Sequence, residues 1–176
     1  MSSLVVIRHA KTHAPGRCVG RTDVDVETPH EEAGRVILGH VAEHPVRVVW
    51  SSSLSRCAAP AALVARALRV PHRIDARLFE IDHGAFEGRA WDEIEPLALA
   101  RWMRAWEHEG APGGESARDV EARVRTWWGE LDHDALLVAH AGVARALRVI
   151  VDGIAWPDAM SLAITHLAID AVHRRG

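Results

Sequence analysis

Lysine is almost missing from this chain of 176 residues: Lys11 is the only one, so arginine carries nearly all of the positive charge. The formal net charge of -3 gives no basic field to hold nucleic acid or an anionic membrane. Cysteine is scarce as well. Cys18 and Cys57 could form one pair at most, too few for a disulfide framework, so reduced thiols are expected. No basic-then-apolar leader precedes Leu4, and no apolar run approaches membrane-spanning length; the expected location is cytoplasmic, without a membrane partner. The chain lacks a G-x-x-x-x-G-K-S/T cradle for a nucleoside triphosphate and lacks cysteine–histidine spacing for a metal. No metal and no cofactor are expected.

What is present is an alternation of short apolar runs and amphipathic stretches. Leu4-Val5-Val6-Ile7, Arg47-Val48-Val49-Trp50, Pro71 to Ile74 and Ala135-Leu136-Leu137-Val138-Ala139 read as strands, the clearest of them buried on both faces. Helices are expected from Pro29, capped by Thr28, to about His44, and from the serines at 51–53 through Leu68. Others are expected over Trp91 to Glu109 with a break at Pro96, from Ser116 to about Leu131, and from Val143 to Val151. Gly153 and Pro157 suggest a turn, and Ser161 to Val172 suggests two closing strands. Strand–helix alternation of this kind implies an α/β fold, a doubly wound, mostly parallel sheet with helices on both faces. Neither a repeat nor a linker composition argues for a second domain in residues 1–176.

Three of these strands run into charged or titratable residues: Arg8-His9 after the first, Arg56 shortly after the second, and His140 after the strand at 135–139. A parallel sheet brings such carboxyl ends to one edge, where ligands bind. Two arginines and two histidines around one pocket suit a phosphate group, because the guanidinium fork matches its oxygens. A helix starting after His140 would aim further N–H groups at the anion. The same arginines would repel a divalent cation. Histidine is then a candidate nucleophile, and neighbouring arginines disfavour its cationic form. Glu80, beside Phe79 and Phe86, is the candidate general acid for the leaving group.

At this point the residues resemble a known family. Arg8-His9-Ala10-Lys11-Thr12 is similar to the R-H-G-x-S/T signature of the histidine phosphatase superfamily, and Ser51 to Arg56 to its S-S-P-L-x-R segment. Leu78 to Gly88 resembles L-x-E-x-x-F-G-x-W-E-G, and Val138 to Gly142 resembles V-x-H-x-G. The resemblance implies a phosphoglycerate mutase-like three-layer sandwich with a small cap-like insertion at about 84–115. It also implies His9 as phosphorylated nucleophile, Arg8, Arg56 and His140 as phosphoryl ligands, and Glu80 as proton donor. Thr12, Cys18, Gly20 and Ala141 fall at positions implied to meet the substrate.

Ala10, Ser53 and Phe86 depart from the signatures, and Pro15 stands where the mutases carry asparagine. Gly16 to Val24, Arg56-Cys57 and Pro112 to Ser116 look most like the α-ribazole-5′-phosphate phosphatases of cobalamin synthesis. The expected partner is a small phosphorylated metabolite, and the expected assembly a monomer or homodimer. Trp91, Trp102 and Trp106 are candidates to stack on an aromatic base, although helix-spaced Trp102 and Trp106 are more often core residues. The alternatives are a mutase-type phosphoryl transferase and a non-catalytic phosphate-binding regulatory module.

Overall fold

In the computed structural model, which describes residues 2–175, Leu4, Val5, Val6 and Ile7 are completely inaccessible to solvent. They form the middle of β1 (Ser2–Arg8). The chain continues through α1 (His30–Val41), β2 (Val48–Ser51), α2 (Ser55–Leu68) and β3 (His72–Ile74). Next come α3 (Pro96–Ala105), α4 (Ala117–Glu130), β4 (Ala135–Ala139), α5 (Ala141–Leu147), α6 (Trp156–Ser161) and β5 (Ile169–Arg175). The sheet order is β3-β2-β4-β1-β5, with every pairing parallel except that of β5 with β1.

Side-chain alternation in the strands builds two cores. Leu4, Val6, Leu137 and Ala139 pack against Val120, Val124 and Trp127 of α4 and Val143, Ala144, Ala146 and Leu147 of α5. Val5, Ile7, Leu136 and Val138 pack against Ile37 and Val41 of α1 and Ala61 and Val64 of α2. This is the doubly wound, three-layer α/β arrangement, with helices on both faces. Cys18, Phe86, Ile94 and Ala111 form a third, smaller cluster with Ala98, Leu99 and Trp102, most of it within the stretch where a cap-like insertion is expected and for that reason termed the cap cluster. Among the described residues no helix is long and apolar enough to cross a membrane.

Several local expectations are corrected. Thr28 does not cap α1: Pro29 occupies the cap position with extended ψ, its carbonyl takes the Ala33 N–H, and the helix stops at Val41. The serines do not cap α2 either. Leu54 sits at its cap, and the Asp23 carboxylate, reaching in from the preceding loop, takes the Ser55 N–H at 3.0 and 3.1 Å. The long helix expected from Trp91 shortens to α3, because Glu95 caps the chain there by accepting from the N–H groups of Leu97 and Ala98. Pro157 opens α6 where a turn was expected, in keeping with proline's tolerance in a first helical turn. Only one closing strand forms; residues 162–168 run instead as an irregular segment beside the end of β1.

Candidate active site

The register of the central strands sets the site. Arg8 pairs with Ala139 across β1 and β4, so His9 and His140 leave neighbouring strands at one level. The His9 N–H still donates to the Ala139 carbonyl at 3.0 Å, and the two imidazoles meet edge to face with ring centres 5.2 Å apart. The ring nitrogen Nδ1 of His9 lies 2.6 Å from the Ala10 carbonyl oxygen. A carbonyl only accepts, so Nδ1 carries the proton and Nε2 keeps its lone pair. Burial first, and then Arg56 and Arg8, push the His9 pKa down to about 3 against the single opposing pull of that carbonyl. His9 is therefore neutral at pH 7 with one bare, nucleophilic nitrogen. Ala10 keeps a negative φ: among the described residues only Arg69 and Leu167 adopt positive φ outside glycine, so the β-carbon in place of the family's glycine needs no strained backbone.

Arg56, in the first turn of α2, is buried and reaches back over the loop that precedes α1. Its Nη1 donates to the Thr22 carbonyl at 2.8 Å and its Nη2 to the Gly20 carbonyl at 2.5 Å. Arg8 donates through Nη1 to the Ile164 carbonyl at 2.8 Å. The Nε atoms of both arginines are buried with no hydrogen-bond partner among the described residues. The Glu87 carboxylate gathers the N–H groups of Gly20, Arg21, Thr22 and His83. Burial opposes its charge, but those donors hold the carboxyl below its usual range. A β-carbon at Gly20 would lie 1.9 Å from the Ile81 carbonyl oxygen, so the loop can close this tightly only on glycine.

Glu80 stands on the segment before the cap cluster, and Arg123 of α4 fixes that segment by donating to the carbonyls of Arg77, Phe79 and Glu80. The expected apolar setting from Phe79 and Phe86 is not what surrounds its carboxylate. Phe86 packs into the cap cluster, and the Glu80 oxygens accept instead from the N–H groups of Ile81 and Gly142. The N–H expected to meet an anion at the start of α5 is thus engaged by Glu80.

Arg8, His9, Thr12, Arg56 and Glu80 line one cavity of about 170 Å³, with Ala14, Arg17, Val19 and His166. The remaining sequence candidates are not among these lining residues, although His140 packs directly against His9. His140 is fully buried and does not line the cavity; its Nε2 lies 2.8 Å from Ser52 Oγ and 3.5 Å from Cys57 Sγ. Burial, followed by His9 and Arg56, holds it well below 6.5. Cys18 packs its side chain into the cap cluster rather than toward the cavity, and burial raises its thiol to about 12. Gly20 serves through its carbonyl, as the anchor of Arg56. Ala141 is buried at the start of α5. Ser52, Asp23, Gly142, Arg123 and His166 escaped the sequence reading. Ser52 stands in the serine run, Gly142 closes the V-x-H-x-G match, and Asp23 lies in the Gly16–Val24 stretch, although none was given a role; nothing in the sequence around Arg123 and His166 marks them.

A second cavity, of about 320 Å³, shares Glu80 with the first and is walled mainly by Ile81, Trp102, Met103, Trp106, Trp156 and Met160, with Arg145 and His83 also at its lining. Trp102 and Trp106 thus face this space, with Trp106 set edge to face against Trp156; Trp91 stacks on Trp102 at 6.2 Å without lining the cavity.

A profile described as "Histidine phosphatase superfamily (branch 1)" matches residues 4–176. The chain is 24% identical to a phosphoserine phosphatase of Hydrogenobacter thermophilus, over 98% of this chain and 87% of that one. It is 30% identical to the glucosyl-3-phosphoglycerate phosphatase of Mycolicibacterium vanbaalenii, over 88% and 77%. Among solved structures, the α-ribazole phosphatase of Shigella flexneri superposes with a TM-score of 0.82 at 23% identity, covering 94% of this chain and 87% of that one. A likeness at that identity bears on the fold alone. The profile spans nearly the whole sequence: the chain belongs to branch 1 of the histidine phosphatase superfamily.

Proposed function

We propose that the chain hydrolyses a small phosphomonoester through a phosphohistidine on His9. The observation that carries this reading is the neutral His9, Nδ1 protonated on the Ala10 carbonyl, in one cavity with Arg8, Arg56 and Glu80. In the first step His9 Nε2 attacks phosphorus, the P–N bond forms and the bond to the leaving oxygen breaks, while Glu80 delivers its proton to that oxygen. Water then attacks phosphorus, its proton passes to the Glu80 carboxylate, and the P–N bond breaks to release phosphate. Arg8 and Arg56 hold the non-bridging oxygens. Charge-assisted hydrogen bonds contribute roughly 1.5–3 kcal/mol each, so their guanidinium donors suffice to hold a dianion.

The second cavity supports a leaving group with an apolar, aromatic body. Its three tryptophans and two methionines begin where Glu80 meets the leaving oxygen. α-Ribazole 5′-phosphate, a ribosyl ester carrying a flat aromatic base, has that character. Phosphoserine and glucosyl-3-phosphoglycerate, named for two relatives, present polar or charged bodies, for which Arg145 and His83 offer the side-chain partners in an otherwise largely apolar lining. The test is a comparison of kcat/KM over α-ribazole 5′-phosphate, phosphoserine, 3-phosphoglycerate and sugar phosphates. The aromatic ester should lead. A sugar phosphate or phosphoserine in first place would refute the leaving-group assignment, and isomerisation of 3-phosphoglycerate outpacing phosphate release would replace hydrolysis by mutase transfer.

A further inference from the structure

His166 is a third histidine at the phosphoryl cavity, and neither the motifs nor the mechanism above uses it. The segment that carries it is tied down at every residue that meets the site. The Ile164 carbonyl takes the Arg8 guanidinium, the Leu167 N–H donates to the Arg8 carbonyl at 2.9 Å, and the Leu167 carbonyl lies 2.9 Å from His40 Nε2 of α1. Leu167 itself adopts φ of +53°, a left-handed conformation that a leucine disfavours and that persists only where its surroundings enforce it. These contacts aim His166 at the nucleophile. Its Nδ1 lies 2.7 Å from the His9 carbonyl oxygen, and its ring centre is 5.5 Å from that of His9.

That contact fixes the tautomer. The His9 carbonyl only accepts, so Nδ1 of His166 carries a proton in every charge state, and Nε2 is the nitrogen left to meet the contents of the cavity. Resting on the phosphatase reading of this cavity, we propose that His166 takes a proton from solvent onto Nε2 when a phosphoryl dianion enters, keeps it there as an imidazolium, and hydrogen-bonds through it to a phosphoryl oxygen. Without the anion, burial and then Arg8 and Lys11 hold the ring below 6.5, against the His9 carbonyl and Glu27. The charged and titratable groups around it are Arg8 and His9 at the end of β1, the Lys11–Glu27 ion pair on the flanking loop, and Arg17, Arg56 and Glu80 around the cavity. Entry of two negative charges reverses the balance that keeps the ring neutral, whereas Arg8 and Arg56 are cationic throughout.

The probe is sulfate, a dianion across the whole working range, so that any proton taken up on binding belongs to the protein. Calorimetry in buffers of different ionisation enthalpy counts that proton, and sulfate affinity is followed between about pH 6 and 8. The variant His166→Asn keeps a donor near the Nδ1 position, for the His9 carbonyl, and removes the group that titrates. His166→Gln offers a non-titrating donor near the Nε2 position. Wild type should take up close to one proton more than His166→Asn near pH 7, and its affinity should fall by up to ~10-fold per pH unit beyond any slope in the variant. His166→Gln should bind more tightly than His166→Asn, without that extra slope. Proton uptake unchanged in His166→Asn, or abolished by Glu80→Gln instead, overturns the proposal while leaving the phosphate site standing. Failure of wild type to bind sulfate or inorganic phosphate at all overturns both.

Discussion

The Gly142 N–H lies between the two oxygens of the Glu80 carboxylate, 3.1 and 3.2 Å away, so the first turn of α5 holds the proton donor of the proposed reaction. A β-carbon at Gly142 would stand 2.2 Å from Glu80 Oε1, and no rearrangement short of swinging the carboxylate away relieves that contact. Gly142→Ala should lower kcat on alkyl phosphates by at least ~10-fold and Glu80→Gln by ~10²–10⁴-fold, the usual worth of a general acid. Both should largely spare the first-turnover release of p-nitrophenol from p-nitrophenyl phosphate, whose leaving group departs without a proton, although later turnovers still need Glu80 as the base for water. Single-turnover phosphorylation rates on the two ester types check this; equal losses on both in that step would remove Glu80 from the acid role.

Arg56 offers a planar fork positioned by the carbonyls of Gly20 and Thr22. Arg56→Lys keeps the charge and loses the fork. Losing one charge-assisted bond at about 1.5–3 kcal/mol corresponds to ~10–100-fold weaker phosphoryl binding. The inhibition constant of inorganic phosphate, measured beside circular dichroism to confirm folding, reads that change directly. Unchanged inhibition would place Arg56 outside the phosphoryl site.

Stability should fall with acid. His9, held at about 3, and His140, held well below 6.5, are both kept neutral in the fold chiefly by burial and titrate near 6.5 once unfolded. Below that pH the unfolded chain binds more protons than the native one. The stability is therefore fully present above about pH 6.5 and lost as pH falls toward the folded values, at up to about 1.4 kcal/mol per pH unit for each histidine. Tm should be flat between pH 7 and 8 and should decline from about pH 6.5 to pH 5. A Tm that rises on acidification contradicts the buried neutral histidines. The same shift means that protonation of His9 itself should impose no acid limb on kcat/KM above about pH 4.

Turnover should survive chelation. The cavity draws its positive charge from Arg8, Arg17 and Arg56, which a divalent cation would have to displace or oppose. Dialysis against EDTA should leave kcat unchanged; activity lost there and restored by a divalent metal would contradict the mechanism.

Much of this architecture is legible in the sequence because it depends on runs of side chains. Leu4 to Ile7 and Ala135 to Ala139 read as strands covered on both faces, and Ser116 marks the start of α4, where the structure adds a capping box with Asp119. The parallel register then follows, and with it the meeting of His9 and His140. The rest is hidden because it rests on backbone groups or on residues far apart in sequence. Every residue but proline has an N–H, so nothing marks that of Gly142 as the partner of Glu80. Asp23 caps α2 from a loop 32 positions away, and the left-handed Leu167 that helps to aim His166 follows no turn residue. Trp102 and Trp106 carry the i, i+4 spacing of a core face and do pack against buried clusters, but the same residues also line the cavity that Trp156 and Met160 of α6 wall from the other side, which the spacing does not reveal.

The central claim is that His9 carries the phosphoryl group. Mixing the enzyme with a ³²P-labelled phosphomonoester and quenching within one turnover should trap an acid-labile, alkali-stable adduct, mapped by peptide mass spectrometry to His9 Nε2 and absent in His9→Ala. Turnover in which no covalent phosphate forms, or in which it forms on another residue, would contradict the account.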